Sequence, residues 1–325
     1  GTAPVIPEVE IIPKEKTTYA GYTNGEKSVL VGYPMDVESI PYDKEPIIWN
    51  KVLTDQTGWI DATTIPNGVA TGHILATKDG FVPADFGTGD GWHGPSMIYT
   101  LNEALDDFEI SVYTHVFNDV AELGKIEWNL LTQDGVVLSR FEFGDFWNTE
   151  KRMVGNAWIG EIGFQEGRTI GAERGMQWNG FKGVTRIRKV GNIFEYYIAR
   201  VTEEERHHEI STVKYVDTNN LFNNKIAKIQ VTFASYKNYP PPHVMRIPQI
   251  MVRKINPDKE DMIPYIAEPG EKITIDKSLN VYRDGEKRLG LNVFSKPIQL
   301  QKGENNFTVL PPNADVTVRF REVFK

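Results

Sequence analysis

The chain has 325 residues, which is long for one domain and comfortable for two, because single hydrophobic cores stop growing beyond about 250 residues. Its net charge of -8 argues against a nucleic-acid partner, since neutralising phosphates requires a clustered basic face. Cysteine is absent, which excludes disulfides and thiolate metal sites, and no apolar run approaches the roughly 18 residues of a membrane span.

The first 46 residues predict two strands followed by a connector. Residues 5–12 and 27–31 have strand patterns, and Asn24-Gly25 supplies the turn between them. Residues 34–46 are rich in proline and acidic side chains, which is typical of a linker. An isolated hairpin is barely stable in water, so these strands need a partner elsewhere in the chain. Because the chain begins with Gly1-Thr2 and not with methionine, we expect the natural protein to begin earlier.

The middle of the chain holds most of the strand signals. Turn residues separate them, for example at 133–135 and 190–192. Helical signal is confined to 96–105 and 202–208, each of which is equally compatible with a polar loop. Many short strands spaced by tight turns indicate a β-sandwich or jelly roll. The predicted strands are 108–117, 125–131, 136–143, 185–190, 194–201, 210–215, 225–233 and 246–255.

A second composition break at residues 256–261 is followed by short strands that cover only about 60 residues, which is marginal for an independent core. We therefore expect residues 1–40 and 262–325 to form one small β-domain. The sandwich, residues 43–257, is then an insertion in it, which is easy when both chain ends meet in one domain. The short strands of this last region are predicted at 272–276, 280–282, 298–300, 306–310 and 315–322.

All seven tryptophans lie between Trp49 and Trp178. An indole ring suits either core packing or stacking on a sugar ring. Trp49 and Trp128 lie in apolar strand patterns and are predicted to be core residues. The sequence around Trp158 does not indicate whether that ring is buried or exposed. Three tryptophans lie in loops rich in Gly and Asn, where surface recognition and structural anchoring are both open: Trp92, Trp147 and Trp178.

The segment from Asp85 to Pro95, which reads Asp-Phe-Gly-Thr-Gly-Asp-Gly-Trp-His-Gly-Pro, is the most unusual in composition. Its glycines permit positive φ angles and can expose the rings of Trp92 and His93. The loop either contacts a ligand or closes one end of the core. Asp85 and Asp90 leave calcium open as a cofactor, although their spacing does not match the EF-hand pattern. No other cofactor is indicated.

Catalytic spacing is not found. Glycoside cleavage needs two carboxylates about 5 to 10 Å apart, and jelly-roll glucanases place them on one strand as Glu-x-Asp-x-x-Glu. The nearest candidates, Glu142 with Asp145 and Glu161 with Glu166, lack that spacing. The sequence also contains no nucleophile elbow or phosphate-binding loop. His207 and His208 would point to opposite faces of a strand, and His243 is isolated. We expect neither an enzyme nor a metal site.

Four C-terminal segments resemble the end of distal tail proteins of long-tailed phages that infect Gram-positive bacteria. In that family the chain closes with a series of the form Ile-Asp, Asn-Gly and Leu-x-x-Gly-x-Asn, and with a strand ending in Arg-Glu. The N-terminal residues 24–34 look like the first part of the same galectin-like domain. The segments are Gly-Glu-Lys-Ile-Thr-Ile-Asp at 270–276, Val-Tyr-Arg-Asp-Gly at 281–285, Leu-Gln-Lys-Gly-Glu-Asn at 300–305 and Val-Thr-Val-Arg-Phe-Arg-Glu at 316–322.

The segment Gly-Trp-His-Gly-Pro at 91–95 resembles the concanavalin-like jelly rolls inserted in enlarged members of that family. The resemblance implies a virion tail-tip protein, assembled in the bacterial cytoplasm, with host cell-wall saccharide and other tail or baseplate proteins as partners. Neither nucleic acid nor membrane is implied as a partner. The family's N-terminal ring-forming domain has no counterpart here. The implied hexamer therefore belongs to a longer protein, of which this chain resembles the C-terminal part and which need not oligomerise alone.

The resemblance implies an all-β fold, with a concanavalin-like jelly roll inserted in a small galectin-like domain, and a carbohydrate-binding function. Aromatic rings beside carboxylates or amides suit the apolar face and hydroxyl rim of a sugar. Two alternatives stay open, a purely architectural baseplate protein and a polysaccharide hydrolase or lyase on the same fold. The predicted binding residues are Trp92, His93, Trp147 and Trp178, with Asp90 and Asn179 as hydrogen-bonding partners.

Overall fold

The computed structural model describes residues 3–36, 38–160, 168–172 and 178–324, with 168–172 described by its backbone alone. The regular elements within these ranges are β-strands, so the predicted all-β fold class is confirmed. No helix in these ranges is long and apolar enough to cross a membrane.

The described residues form 28 strands, in each of which successive side chains point to opposite faces of the sheet. In chain order they are β1 Glu8–Pro13, β2 Tyr19–Thr23, β3 Ser28–Gly32, β4 Ile40–Tyr42, β5 Ile47–Val52, β6 Trp59–Asp61, β7 Gly68–Ala70, β8 His73–Thr77, β9 Gly80–Asp85, β10 Trp92–Gly94, β11 Ser96–Leu105, β12 Phe108–Phe117, β13 Gly124–Leu131, β14 Val137–Asp145, β15 Met153–Ile159, β16 Arg168–Ala172, β17 Phe181–Val190, β18 Ile193–Val201, β19 His207–Val216, β20 Ile226–Tyr236, β21 Val244–Arg246, β22 Gln249–Lys254, β23 Met262–Pro264, β24 Ile273–Ile275, β25 Val281–Arg283, β26 Glu286–Leu289, β27 Thr308–Leu310 and β28 Ala314–Arg319.

The chain divides into two compact units. Unit 1 contains Gly1–Pro46, Thr202–His207 and Asn256–Lys325, and unit 2 contains Ile47–Val201 and His208–Ile255. Both chain ends therefore lie in unit 1. The sequence did not predict that the six residues Thr202–His207 belong to this unit.

Unit 1 contains a five-stranded sheet in the order β26-β25-β24-β1-β28, a three-stranded sheet β27-β2-β3 and a parallel pair of β4 with β23. Strand β1 shows how its core forms, because Val9 and Ile11 are fully buried while Glu8 and Glu10 alternate with them. A single apolar cluster joins residues from both ends of the chain, including Ile11, Tyr22 and Ile275.

Unit 2 is a jelly-roll β-sandwich of two large sheets, which are antiparallel except for the parallel pair of β7 with β10. One has nine strands, in the order β16-β15-β14-β13-β20-β10-β7, with β11 paired to β20 and β6. The other follows the order β19-β18-β17-β12-β22-β5, with β21 paired to β12. The apolar faces of both sheets form one core, in which Trp128 is buried as predicted, while Trp49 packs against its edge.

The prediction of a helical turn or loop at residues 96–105 is wrong. These residues form β11, which pairs with β20 through Ser96 opposite Thr232. Its buried apolar side chains are Met97, Leu101 and Leu105. These three residues are four positions apart. Side chains four positions apart lie on the same face of a helix, and they also lie on the same face of a strand, where every second side chain points the same way. Pairing with β20 therefore decided between two conformations that the local pattern fits equally well.

Candidate functional site

One face of the nine-stranded sheet points away from the core and is unusually polar. On β13, Ile126, Trp128 and Leu130 face the core, so the alternate residues face the other way. These outward residues are nevertheless at most 6% exposed, and most of their polar atoms are paired within the sheet. We call this set the polar face: Ser96, Lys125, Glu127, Asn129, Arg140, Glu142, Gln230 and Thr232.

A lysine lies between two carboxylates at the centre of the polar face. Lys125 Nζ donates to Glu127 Oε2 at 2.7 Å and to Glu142 Oε2 at 2.6 Å. The two glutamates are directly opposite each other on β13 and β14. Burial is the largest influence on the pKa of Lys125 and lowers it, but the two carboxylates together outweigh burial and raise the pKa above its usual value. The lysine therefore stays charged and holds both carboxylates.

Arg140 is the second buried cation of the polar face. Its guanidinium lies 4.1 Å from the ring centre of Trp158, the residue directly opposite on β15, in a cation–π arrangement. Its Nη1 is 3.7 Å from Glu127 Oε1, beyond hydrogen-bonding distance. Burial lowers the pKa of Arg140, while Glu127 and Glu142 act in the opposite direction.

At one end of the polar face, five half-buried aromatic rings form what we call the aromatic ledge: Trp92, Phe146, Trp147, Tyr236 and Tyr239. The ring centre of Trp92 lies 5.5 Å from that of Phe146 and 5.0 Å from that of Tyr236. Phe146 in turn meets Trp147 edge-on at 5.9 Å, and Tyr236 stacks with Tyr239 at 6.5 Å. The structure therefore brings together two of the predicted residues, Trp92 and Trp147.

Strand β10 positions Trp92 on the ledge. Trp92 is directly opposite Tyr236 of β20, so both rings lie on one face of the sheet. Two residues later, Gly94 has a φ of 155° and its Cα faces the carbonyl oxygen of Phe233 so closely that any Cβ would collide with it. Only glycine fits there, which explains one glycine of this unusual loop.

The residues that carry Phe146 and Trp147 are held by one buried carboxylate. Asp145 accepts hydrogen bonds from the backbone N–H groups of Trp147 at 3.0 Å and Arg152 at 2.8 Å, and from Asn118 Nδ2 at 2.7 Å. Burial raises the pKa of Asp145, and these three donors act in the opposite direction. The guanidinium of Arg152 covers the ring of Trp147 at 4.5 Å.

Two of the predicted binding residues are structural. Trp178 is fully buried and packs edge-on against Phe181 at 5.6 Å, so its prediction as a surface residue is wrong. The prediction of Asn179 as a ligand contact is also wrong, because its side-chain amide makes hydrogen bonds within the protein. Its Oδ1 accepts from the N–H of Met153, and its Nδ2 donates to the carbonyl oxygen of Lys151.

His93 and Asp90 are not part of the ledge. His93 is only 4% exposed, and as the neighbour of Trp92 on a strand it points to the opposite face. Its Nδ1 is 3.0 Å from the carbonyl oxygen of Gly91. The prediction of His93 as a sugar contact is therefore wrong. Asp90 is exposed in the bend before β10.

The histidine at 243 is not isolated, in contrast to the sequence-based expectation. Its Nδ1 lies 2.9 Å from Glu122 Oε2 and 3.9 Å from Asp119 Oδ2. The three side chains offer ligand atoms within 4.8 Å of one another. Glu122 Oε2 also accepts the backbone N–H groups of Asp119 and His243, so this carboxylate fixes the local backbone. Asp85 was considered from the sequence as a possible calcium ligand. In the structure its Oδ2 lies 3.0 Å from Nδ1 of His73.

A cavity of about 400 Å³ adjoins the polar face. Arg140 and Gln230 line it, and these two residues flank Asn129 on either side. Residues 64–67 form a further part of its wall, where Gln230 Nε2 donates to the carbonyl oxygen of Thr64 at 2.7 Å. Its apolar lining comes from Ile65, Pro66, Ile98, Leu131 and Val137.

The fold of this chain is similar to that of a phage carbohydrate-binding module. The CBM2 module of the evolved Dit of Lactobacillus casei BL23 phage J-1 matches with a TM-score of 0.56 and 17% identity, over 66% of this chain and 98% of that one. Two glucanases match less well. SCLam, a non-specific endo-β-1,3(4)-glucanase of family GH16, gives a TM-score of 0.48 at 8% identity over 74% of this chain and 98% of that one. The laminarinase catalytic domain from Thermotoga maritima gives 0.44 at 10% over 66% and 100%. No protein-family model and no curated protein matches the sequence.

Proposed function

We propose that unit 2 is a carbohydrate-binding module and that the chain presents it at a phage tail tip, where it recognises saccharides of the host cell wall. The aromatic ledge carries this proposal. Its rings are half-buried and adjoin a face rich in hydrogen-bonding groups, the combination that a sugar requires. The likeness to a module from a phage Dit and the resemblance of the C-terminal segments to distal tail proteins support the tail context.

The polar face favours recognition over a purely architectural role. A surface that only contacts neighbouring proteins is expected to be apolar at its centre, with charged residues depleted there. Here the centre contains Lys125, Glu127, Arg140 and Glu142, and a cavity adjoins it. We propose that contacts with other tail proteins are made by surfaces other than the polar face. Six copies around a tail would raise the overall affinity through multivalency, so a weak single site suffices.

A glycoside hydrolase is the second candidate, because Glu127 and Glu142 face each other across two strands. A glycosidase needs the scissile bond between its two carboxylates. Lys125 Nζ occupies that position, bonded to both. We therefore propose that the module binds saccharide without cleaving it. The pair Glu161 and Glu166, considered from the sequence, lies outside the described residues.

Binding to purified cell walls of a Gram-positive host tests the proposal. We expect the full chain to sediment with the walls and the double variant Trp92→Ala/Trp147→Ala to stay in solution. Tyr33→Ala is the matched control, since it removes an aromatic ring that is 55% exposed in unit 1. Undiminished binding of the double variant would refute the ledge as the site. Release of reducing ends from the walls would favour the hydrolase.

Metal dependence is tested in the same assay. We propose that binding needs no metal ion, so EDTA should leave the bound fraction unchanged. Loss of binding in EDTA that calcium or zinc restores would contradict this, and Asp119, Glu122 and His243 would then be the first residues to replace.

A further inference from the structure

The cavity beside the polar face has a cationic wall. Among the described residues that line it, Arg140 and Lys228 carry charge and none is a carboxylate. Its volume of about 400 Å³ lies within the range of about 300 to 1,000 Å³ that is usual for small-molecule sites. The whole chain has a net charge of -8, so the sign of the charge is locally reversed here. The cavity is therefore a candidate site for an anionic group.

Lys228 supplies the hydrogen-bonding cation of this wall. Its side chain is half-buried, and its Nζ donates to the carbonyl oxygen of Gln133 at 2.7 Å. It forms no ion pair with the residues that the structure describes, and the exposed Asp134 of the neighbouring turn is not part of the lining. An ammonium group has three N–H donors, so two of them remain for a ligand.

Arg140 contributes its charge to the wall. Its side chain is only 2% exposed, and its Nε and Nη1 are buried, so these two atoms are not available to a ligand. Glu127 Oε1 lies 3.7 Å from Nη1, but the other carboxylate oxygen of Glu127 bonds to Lys125. Lys125 and Arg140 together balance Glu127 and Glu142. The charge of Lys228 therefore remains uncompensated, and the cavity has a net positive charge.

Neutral residues complete the lining. The side chains of Thr64 and Asn67 form no hydrogen bond within the described part of the chain, so both can donate to a ligand oxygen. Gln230 cannot, because its Nε2 already donates to the carbonyl oxygen of Thr64 at 2.7 Å and to Ser96 Oγ at 3.0 Å. The apolar residues of the lining suit the C–H face of a sugar ring.

The cavity and the aromatic ledge lie at opposite ends of the polar face. Lys228 and Tyr236 are eight residues apart on β20, and both point to the same side of the sheet because successive side chains alternate. At about 3.3 Å per residue their separation along the strand is roughly 26 Å. An extended saccharide of several rings can therefore contact the ledge and the cavity at the same time.

We infer that the cavity binds a single anionic group, a phosphate or a carboxylate, carried by a saccharide whose uncharged rings stack on the aromatic ledge. Lys228 Nζ makes charge-assisted hydrogen bonds to the anion, which are roughly twice as strong as neutral ones. Thr64 and Asn67 donate to its remaining oxygens. Two cations in a cavity suit one isolated anion, whereas a nucleic acid requires an extended basic face. The inference rests on the proposed carbohydrate-binding function and specifies its ligand class.

Competition for cell walls tests the inference on the unmodified full chain. The soluble competitors are glucose, glucose 6-phosphate and glucuronate, each in 50 and in 500 mM NaCl. We expect at least one of the two charged sugars to compete at least about 5-fold better than glucose in 50 mM NaCl. This advantage should shrink in 500 mM NaCl, because salt screens the attraction. The better of the two charged competitors identifies the anion as phosphate or carboxylate.

The same measurement separates the inference from the proposed function. If the chain binds the walls but neither charged sugar competes better than glucose, the inference is overturned and the proposed function stands. An advantage that is unchanged in 500 mM NaCl would also overturn it, because the attraction would then not depend on charge. No binding to any wall would instead refute the proposed function, and the inference with it.

A variant locates the effect at the cavity. Lys228→Met removes the ammonium group and keeps most of the aliphatic stem, so wall binding should weaken by at least about 5-fold and the advantage of the charged competitor should disappear. Lys225→Met is the matched control. Lys225 lies just before the same strand, pairs at the surface with Asp106 at 3.0 Å and does not line the cavity. This variant removes the same charge from the chain and should bind within about 2-fold of the parent.

Two results of this comparison would contradict the inference. Equal binding by Lys228→Met and the parent would show that the ammonium group does not contact the ligand. Equal losses in Lys228→Met and Lys225→Met would show that the net charge of the chain, and not the cavity, attracts the anion. The competition measurements on the unmodified chain decide the inference even if a variant does not fold.

Discussion

Lys125 Nζ lies 5.1 Å from the ring centre of Trp92 while it donates to both Glu127 and Glu142. One side chain thus joins the aromatic ledge to the polar face. A sugar stacked on Trp92 would lie beside this charged network, so stacking and hydrogen bonding can act on the same ligand.

Replacing Lys125 by Met should destabilise the protein by about 3 to 5 kcal/mol, because it leaves two buried carboxylates without their cation. Guanidinium denaturation measures the free energy of unfolding. The triple variant Lys125→Met/Glu127→Gln/Glu142→Gln removes the charges together and should recover most of the loss. A change below about 1 kcal/mol in the single variant would show that the carboxylates find another partner.

Asp145→Ala should loosen the segment that carries Phe146 and Trp147. Three donors lose their acceptor, two of them backbone N–H groups, so we expect a loss of about 2 to 4 kcal/mol in stability together with weaker cell-wall binding. Limited proteolysis should show faster cleavage within residues 146–152. Glu150→Ala, on the same segment, removes only a long pair with Arg152 at 3.6 Å and should change stability by less than about 1 kcal/mol. If both variants behave alike, Asp145 does not organise the segment.

The sequence predicted the elements that depend on local pattern. Residues 108–117 alternate regularly and form β12 with the predicted bounds, and the turns at 133–135 and 190–192 join paired strands as expected. A pattern of period two contains the information needed for a strand. At residues 96–105 the pattern of apolar residues fits a helix and a strand equally well, so it could not predict which of the two forms.

The polar face could not be predicted because it depends on register between distant strands. Spacing along one strand pairs Glu142 with Asp145, whereas the fold places Glu142 opposite Glu127 on the neighbouring strand. A shift of one residue would have turned one of these two glutamates into the core. The alternation of Lys125, Glu127 and Asn129 with apolar residues was the only local signal. For Trp178, a Gly- and Asn-rich neighbourhood suggested exposure, whereas the fold buries the ring completely.

Trp178→Ala should therefore destabilise unit 2 by about 3 to 5 kcal/mol, the usual effect of removing a fully buried large side chain. The half-buried Trp147 provides the comparison, and Trp147→Ala should change stability much less while reducing wall binding. Denaturation curves of the two variants separate the roles. A large loss of stability for Trp147→Ala and a small one for Trp178→Ala would reverse the assignment.

The insertion of one domain in the other remains a proposal that a shortened chain can test. Residues 47–255 contain both large sheets and their common core, so we expect them to fold alone and to unfold in one cooperative transition. Circular dichroism during thermal unfolding measures this. A broad, non-cooperative change would show that the sandwich needs the rest of the chain, and residues 1–46 joined to 256–325 provide the reciprocal test for unit 1.

His115 should make the stability of unit 2 depend on pH. Burial, followed by the charges of Lys182 and Arg246 directly opposite on the two neighbouring strands, lowers the pKa of His115 to about 4 from 6.5. Between these values the unfolded chain binds the proton and the folded chain does not. The stabilisation is thus complete above pH 6.5, falls as the pH drops towards 4 and is lost below it.

The measurement is the free energy of unfolding of the parent and of His115→Gln at several pH values from 7.5 to 4. Because His115 is only partly buried, we expect the parent to lose about 1 to 2 kcal/mol more than the variant over this interval. Lys182→Met removes one neighbouring cation, so it should raise the pKa of His115 towards its usual value and reduce the difference. Parallel curves for the parent and His115→Gln would show that the imidazole is as easily protonated in the folded sheet as in the unfolded chain.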